Sequence, residues 1–128
     1  IRQDFPGGWA GDKNNAFTKS GRTASQNEYF DYTKKLLNWR KGNEAIHNGK
    51  TLHYIPNDNV YVYFRYTDSK RVMVVINNNK NNQNLDLKRF SEGIKNFTKG
   101  RDILSDKDFD LKTNLSVAGK SSLILELK

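Results

Sequence analysis

Cysteine is absent from this 128-residue chain, and histidine is nearly so, with only His47 and His53. The first absence excludes disulfides, thiolate metal sites and Cys nucleophiles together. The second leaves no His-rich zinc site. Long hydrophobic runs are missing too. The longest is Val72–Ile76, whereas a membrane helix needs about 20 apolar residues in succession, so no membrane span is expected. Acidic residues are outnumbered, 14 Asp and Glu against 22 Lys and Arg, for a formal charge of +8. A surplus of that size suits a nucleic-acid binder, but its distribution does not. Residues 1–50 carry nine basic and five acidic side chains and residues 51–128 carry thirteen and nine, so each part nets +4. The densest clusters are pairs such as Lys34–Lys35 and Lys70–Arg71. Charge dispersed in this way is a solvated surface, and no nucleic-acid partner is expected.

What the chain has in excess is asparagine, 16 residues with six of them between 77 and 84. The stretch Asn77–Asn84 contains no apolar residue and is expected to be a turn between two strands, since Asn tolerates left-handed backbone and caps its own neighbours. Asn96-Phe97-Thr98 and Asn114-Leu115-Ser116 fit the glycosylation sequon, a match that chance readily supplies.

The chain opens at Ile1, with neither an initiator Met nor a signal peptide. Residues 1–24 carry Gly7, Gly8, Gly11 and Gly21 without a sustained hydrophobic period. So long an irregular opening is unusual for a self-contained domain and suggests a segment that packs on something else. One helix follows, expected over about 26–41. Ser25 and Glu28 have capping-box spacing, and Tyr29, Tyr32, Leu36 and Trp39 recur at helical intervals with Phe30 and Leu37 beside them. Arg40 and Lys41 suit the negative end of the dipole, and Gly42 is a natural stop. So broad an apolar face calls for a partner surface, and Tyr29, Leu36 and Trp39 are expected to be mostly covered.

From about Thr51 the period changes to two. Val60, Val62, Phe64 and Tyr66 alternate with Tyr61, Tyr63 and Arg65, giving a strand. Arg71–Ile76 reads as a second, more fully buried strand, joined to the first by Asp68-Ser69-Lys70. Leu85–Leu87, Arg101–Leu104, Phe109–Leu111, Leu115–Val117 and Ser122–Leu127 supply further short strands, and Phe90–Phe97 reads as a helical turn or a loop. Several short strands with polar turns between them indicate a mainly β fold, an antiparallel sandwich or barrel.

No catalytic constellation emerges. His47 precedes the turn signal Asn48-Gly49 and His53 begins a strand; neither stands beside a nucleophile, and both read as structural. Asp102, Asp106, Asp108 and Asp110 fall in polar turns and are expected to be solvated rather than an acid–base pair. Gly7–Gly8 lacks the strand, helix and Lys of a phosphate loop. No metal and no cofactor is expected. The aromatics are more suggestive. Phe5, Trp9 and Phe17 in the opening, and Tyr61 and Tyr63 on a strand, have flat faces suited to sugars or bases. For Tyr61 and Tyr63 the favoured alternative is that they cover the helix.

Two segments resemble a known family. Ile1-Arg-Gln-Asp-Phe-Pro-Gly-Gly-Trp9, continued by Ala-Gly-Asp12-Lys-Asn-Asn-Ala-Phe17, resembles the segment after the last barrel strand of α-amylase-superfamily enzymes (glycoside hydrolase family 13), of the neopullulanase and cyclomaltodextrinase type. Phe30-Asp-Tyr-Thr-Lys-Lys-Leu-Leu-Asn-Trp-Arg40 and Asn43-Glu-Ala-Ile-His-Asn-Gly49 look like the last helix of that barrel and its exit. The remainder, ending on Lys120-Ser-Ser-Leu-Ile-Leu-Glu-Leu127, is similar to the family's C-terminal β-sandwich.

The resemblance implies residues 1–45 as the tail of a (β/α)8 barrel, with a loop over 1–25 and the last barrel helix at about 26–41. Residues 46–128 would be a Greek-key antiparallel β-sandwich. It implies retaining hydrolysis of α-glucans such as starch, maltodextrin, cyclodextrin or pullulan by carboxylates on earlier strands. No catalytic residue is then assigned in this chain, which would be inactive alone. Its partners would be the catalytic barrel of the same parent and, through it, the glucan. Asp4, Phe5 and Trp9 would contribute to the rim of the substrate site, where barrel loops collect. Polymeric substrate implies a periplasmic, cell-surface or extracellular parent. Two other readings compete: a free-standing carbohydrate-binding sandwich with Tyr61, Tyr63 or Trp9 as its platform, and an oligonucleotide-binding β-barrel. Against the latter, strand 60–66 offers only Arg65 as a cation.

Overall fold

The structure, a computed structural model, describes residues 4–128; the first three residues of the opening motif lie outside the described residues. The chain divides into two compact units, Ile1–Leu37 and Asn38–Lys128.

In the first unit the glycine-rich opening is ordered by its own polar side chains. Asp12 Oδ2 accepts from the backbone N–H groups of Gly7 (2.7 Å) and Trp9 (3.2 Å). Gly7 adopts φ +95°, and a Cβ there would stand 2.5 Å from Asn15 Oδ1, so only glycine fits. Arg22 donates to the Ala16 carbonyl and to Asn27 Oδ1, both at 2.8 Å, and its guanidinium lies 3.9 Å above the Phe30 ring.

Helix α1 spans Ala24–Lys41. Its capping box is Thr23–Gln26, two residues upstream of the expected Ser25–Glu28. Thr23 N–H donates to Gln26 Oε1 (2.8 Å) and Gln26 N–H to Thr23 Oγ1 (3.2 Å). The same spacing occurs twice in the sequence, and the earlier pair meets the first unpaired N–H groups. Gly42 follows the helix without entering the left-handed region, so the stop is not a glycine cap. No residue of α1 is buried. The expected cover over Tyr29 is absent, since that side chain is 74% exposed, while Leu36 and Trp39 are half-buried.

The second unit is an antiparallel sandwich. Its larger sheet orders six strands as β1 (Lys50–His53), β2 (Val60–Tyr66), β3 (Arg71–Asn77), β8 (Ser121–Leu127), β5 (Lys99–Asp102) and β6 (Asp108–Asp110). The smaller pairs β4 (Gln83–Asp86) with β7 (Asn114–Val117). Alternation in β2 sends Val60, Val62 and Phe64 inward, where they meet Met73, Val75, Leu125, Leu115 and Val117. Phe64, Met73 and Leu125 are fully buried, each contributing about 1.5–3 kcal/mol by removal from water. Phe90–Phe97 resolves into a 3₁₀ turn, Leu87–Phe90, running into one turn of helix, α3 (Ser91–Ile94). Leu87, Phe90 and Ile94 close the core.

Strand β3 is buried on both faces, as its unbroken apolar run requires. Val72 and Val74 point away from the sandwich and pack with Ala45 of the short helix α2 (Glu44–His47), with Trp39, Ile46, Tyr63 and Ile124 alongside. The boundary expected at 45/46 therefore falls inside the second unit.

Two polar residues depart from expectation. Asn77 is not part of the turn; it ends β3 at 1% exposure. Its Nδ2 donates to the carbonyls of Asn81, Val117 and Ala118 (2.9–3.2 Å), and its Oδ1 accepts from Asn79 N–H. The asparagine thus replaces the backbone partners that the sheet lacks beyond its last rung. Asp102 is not solvated either. It is 2% exposed, with Oδ2 accepting from Ser105 N–H (2.8 Å) and Oγ (2.7 Å) and Oδ1 from Ile124 N–H (3.0 Å). That set of donors satisfies a buried carboxylate.

Replacing Asn77 with Ala is expected to cost about 2–4 kcal/mol, because several buried groups lose their partner at once; urea unfolding monitored by circular dichroism measures it. Burial also pushes the phenols of Tyr54 and Tyr63 above their ordinary value of 10.0. The fold favours the neutral phenols, so their stabilisation is complete below pH 10 and falls as pH rises through the raised folded values. Urea midpoints at about pH 9 and about pH 11 should differ, and by less in Tyr63→Phe.

Candidate functional site

On the outer face of the large sheet Thr51, Arg65, Val72 and Glu126 lie opposite one another on neighbouring strands, a row in which polar side chains flank buried Val72. Residues 39–47 are fixed against this row. Glu126 Oε1 accepts from the Trp39 indole N–H (2.6 Å) and from Asn43 Nδ2 (2.9 Å). On β2 the Arg65 fork donates Nη2–H to the Ile46 carbonyl (2.8 Å), Nε–H to the Ala45 carbonyl (3.3 Å) and Nη1–H to Thr51 Oγ1 (2.6 Å). Those carbonyls belong to a single helical turn, whose C-terminal acceptors have no partner within the helix. Ala45 is fully buried. At Gly49 any Cβ would collide with the Ala45 carbonyl, so the chain turns out of the seam only through glycine.

The seam joins residues 39–46 to the sheet through polar side chains. Its charge-assisted bonds are individually worth about 1.5–3 kcal/mol; one holds the end of α1 through Trp39, and the others hold Asn43 and α2 just beyond it. Arg65 and Glu126 did not stand out in the sequence as site residues. Each is the only charged residue of its strand, a signal that marks such positions.

Asp4, Phe5 and Trp9 all lie in the opening loop and are exposed, Phe5 at 57% and Trp9 at 70%. Phe5 packs against Phe17 with ring centres 4.8 Å apart, while the Trp9 backbone is tied to Asp12. Tyr61 and Tyr63 lie side by side, centres 5.5 Å apart and tilted by 32°, with His53 edge-on to Tyr61 at 6.4 Å. Tyr63 packs against the Ala45, Val72 and Val74 cluster, as do Trp39 and Ile46; the helix's upstream aromatics, Tyr29, Phe30 and Tyr32, stay exposed. His47 and His53 are both exposed. Among the described residues no group of three or more His, Cys, Asp or Glu side chains is placed to hold a metal ion. Among the same residues no helix is long and apolar enough to cross a membrane.

A family profile described as the cyclo-malto-dextrinase C-terminal domain matches residues 51–126, the sandwich from β1 to the end of β8. Among solved structures, the chain is similar to AmyP in complex with maltose, at 18% identity and a TM-score of 0.69, over 81% of this chain and 21% of that one. It is similar to an α-amylase from Geobacillus thermoleovorans complexed with acarbose, at 19% identity and TM-score 0.69, over 79% and 23%. An isomaltulose synthase mutant from Erwinia rhapontici NX5 in complex with D-glucose matches at 22% identity and TM-score 0.64, over 87% and 20%. The shared fold extends beyond the profile, and this chain spans about a fifth of each structure's length.

Loss of the seam carboxylate in Glu126→Ala should lower unfolding stability by about 2–3 kcal/mol, since Asn43 Nδ2 and the Trp39 indole lose their shared acceptor. Trp9→Ala, at an exposed position, should stay within about 0.5 kcal/mol of the starting protein. Urea denaturation of the two variants makes the comparison.

Proposed function

The chain belongs to the cyclo-malto-dextrinase C-terminal domain family, and on that footing we propose that it is the C-terminal piece of a retaining α-glucan hydrolase. The catalytic barrel and its carboxylates lie elsewhere in the same parent polypeptide, and this piece is structural. It supplies the last barrel helix, α1, and the sandwich that anchors it.

The observation that carries this reading is the contrast between the two ends of α1. Its C-terminal end is held through Trp39 to Glu126, and α2 just beyond it is held by Arg65. Upstream, Tyr29, Phe30, Tyr32 and Leu37 are between 44% and 74% exposed. An exposed apolar stretch of that size on a single helix calls for a covering surface, and neighbouring helices of a barrel provide one. The opening loop, ordered around Asp12 and Arg22, then runs from the last barrel strand to α1. Asp4, Phe5 and Trp9 stand on this loop at the substrate rim, with Trp9 offering a flat face to a sugar ring. The nucleophile and general acid of a retaining glycosidase are supplied by the barrel, so the chain alone releases no sugar from maltodextrin. The parent takes soluble or polymeric α-glucans and acts outside the cytoplasm, where the polymers are found.

The test is made in the parent enzyme. Tyr29→Asp is expected to lower its thermal midpoint by several degrees, because a charge replaces an aromatic at the barrel contact, while the same change in the isolated chain leaves stability nearly unaltered. Trp9→Ala should raise KM for maltooligosaccharides about tenfold with little change in the thermal midpoint. A Tyr29 variant without effect on parent stability rejects the barrel contact, and an unaltered KM rejects the rim role of Trp9.

A further inference from the structure

A cleft of about 290 Å³ opens at one end of the sandwich, between the turn before β2 and the first residues of β4. It lies within the second unit, on residues that neither the seam nor the opening loop uses. Its size is at the lower end of small-molecule sites, which run from about 300 to 1,000 Å³.

The walls are built rather than incidental. Asp58 and Asn59 both adopt positive φ, 48° and 55°, and Asn57 and Val60 exchange two backbone hydrogen bonds across them. Those are the marks of a two-residue type I′ hairpin. The turn is held from behind, where Asn79 Nδ2 donates to the Asp58 carbonyl at 2.6 Å and Asn78 N–H to the Asn59 carbonyl at 3.0 Å. On the opposite side Arg89 donates Nη2–H to the Ile55 carbonyl at 2.7 Å, and its guanidinium lies 5.5 Å from the centre of the Phe90 ring. That single bond uses one of the five N–H donors in the fork. The aromatic part of the wall is Tyr54 and Phe90, packed edge to face at 5.0 Å.

The polar lining decides the ligand. Gln83 lies opposite buried Val117 and so shares the inward side of β4 with Leu85; its side-chain amide makes no hydrogen bond to other described residues, and it lines the cleft with Asp58 and Arg89. These planar groups donate and accept in pairs, which suits vicinal hydroxyls. The single guanidinium stands with the Asp58 carboxylate, which disfavours a phosphate. A purely apolar ligand would strip water from the amide and carboxylate without replacing it. We propose that this cleft is a binding site for a neutral saccharide, admitting one sugar ring with Arg89 and Gln83 on its hydroxyls. The ligand class follows from the lining; the choice of an α-glucan as first probe rests on the proposed function.

The test is an amide NMR titration of the ¹⁵N-labelled chain with maltotriose, with cellotriose run in parallel. Saturable shifts confined to residues 54–60 and 83–90 are expected. Arg89→Ala and Gln83→Ala should each weaken binding about tenfold, the loss of one or two hydrogen bonds. Unchanged signals elsewhere in both variants establish that they fold. Because Gln83 makes no side-chain hydrogen bond to the turn, its variant separates ligand contact from loop support. Shifts with cellotriose alone would uphold the cleft as a saccharide site while counting against the α-glucan reading of the parent. No saturable shift at these residues with either sugar, or shifts confined to Trp9 and its neighbours, overturns the proposal.

Discussion

One carboxylate oxygen, Oε1 of Glu126, receives both the Trp39 indole N–H and the Asn43 side-chain amide. The outer face of the sheet depends on this contact. Strand β3 buries Val72 and Val74 there as well as Met73 and Val75 within, and so needs a cover on each side. The inner cover is a second sheet. The outer cover is only the segment 39–46, too short to hold itself in place by apolar area. Glu126 and the Arg65 fork supply the fixation that area cannot. Where the cover ends, Ile76 on the same face is 41% exposed.

The interior handles its other ends in the same way, with side chains standing in for missing backbone partners. Asn77 does so beyond the last rung of β3 and Asp102 at the turn after β5. Both are buried polar groups whose bonds are supplied by segments the fold brings beside them, so they cost little desolvation and fix one register. An asparagine-rich tract therefore has two kinds of member: Asn77 inside the fold, and Asn78, Asn81 and Asn82 on its surface.

The functional consequence is a division of labour. A rigid sandwich holds the end of a helix whose remaining apolar surface stays available, and a loop ordered by Asp12, Asn15 and Arg22 leads into that helix. The cleft beside Arg89 shares strand β2 with the seam but none of its residues.

Much of this was legible in the chain itself. The two-residue alternation of Val60–Tyr66, the unbroken run of Val72–Ile76 and the helical spacing from Tyr29 to Trp39 specified the elements, because periodicity is local and survives without knowledge of partners. The motifs around Trp9 and Leu36–Arg40 pointed to the family that the profile over residues 51–126 supports. What the chain could not specify was which polar residue would meet which. Ser25–Glu28 and Thr23–Gln26 offer the same capping pattern, and Asp102 has the same local sequence character as its exposed neighbours. Glu126 and Arg65 act on groups 83 and 20 residues away. Sequence determines how each segment would bury its apolar side, whereas hydrogen-bond partnership across such distances is set by the tertiary fold, which alone brings the donor to the acceptor.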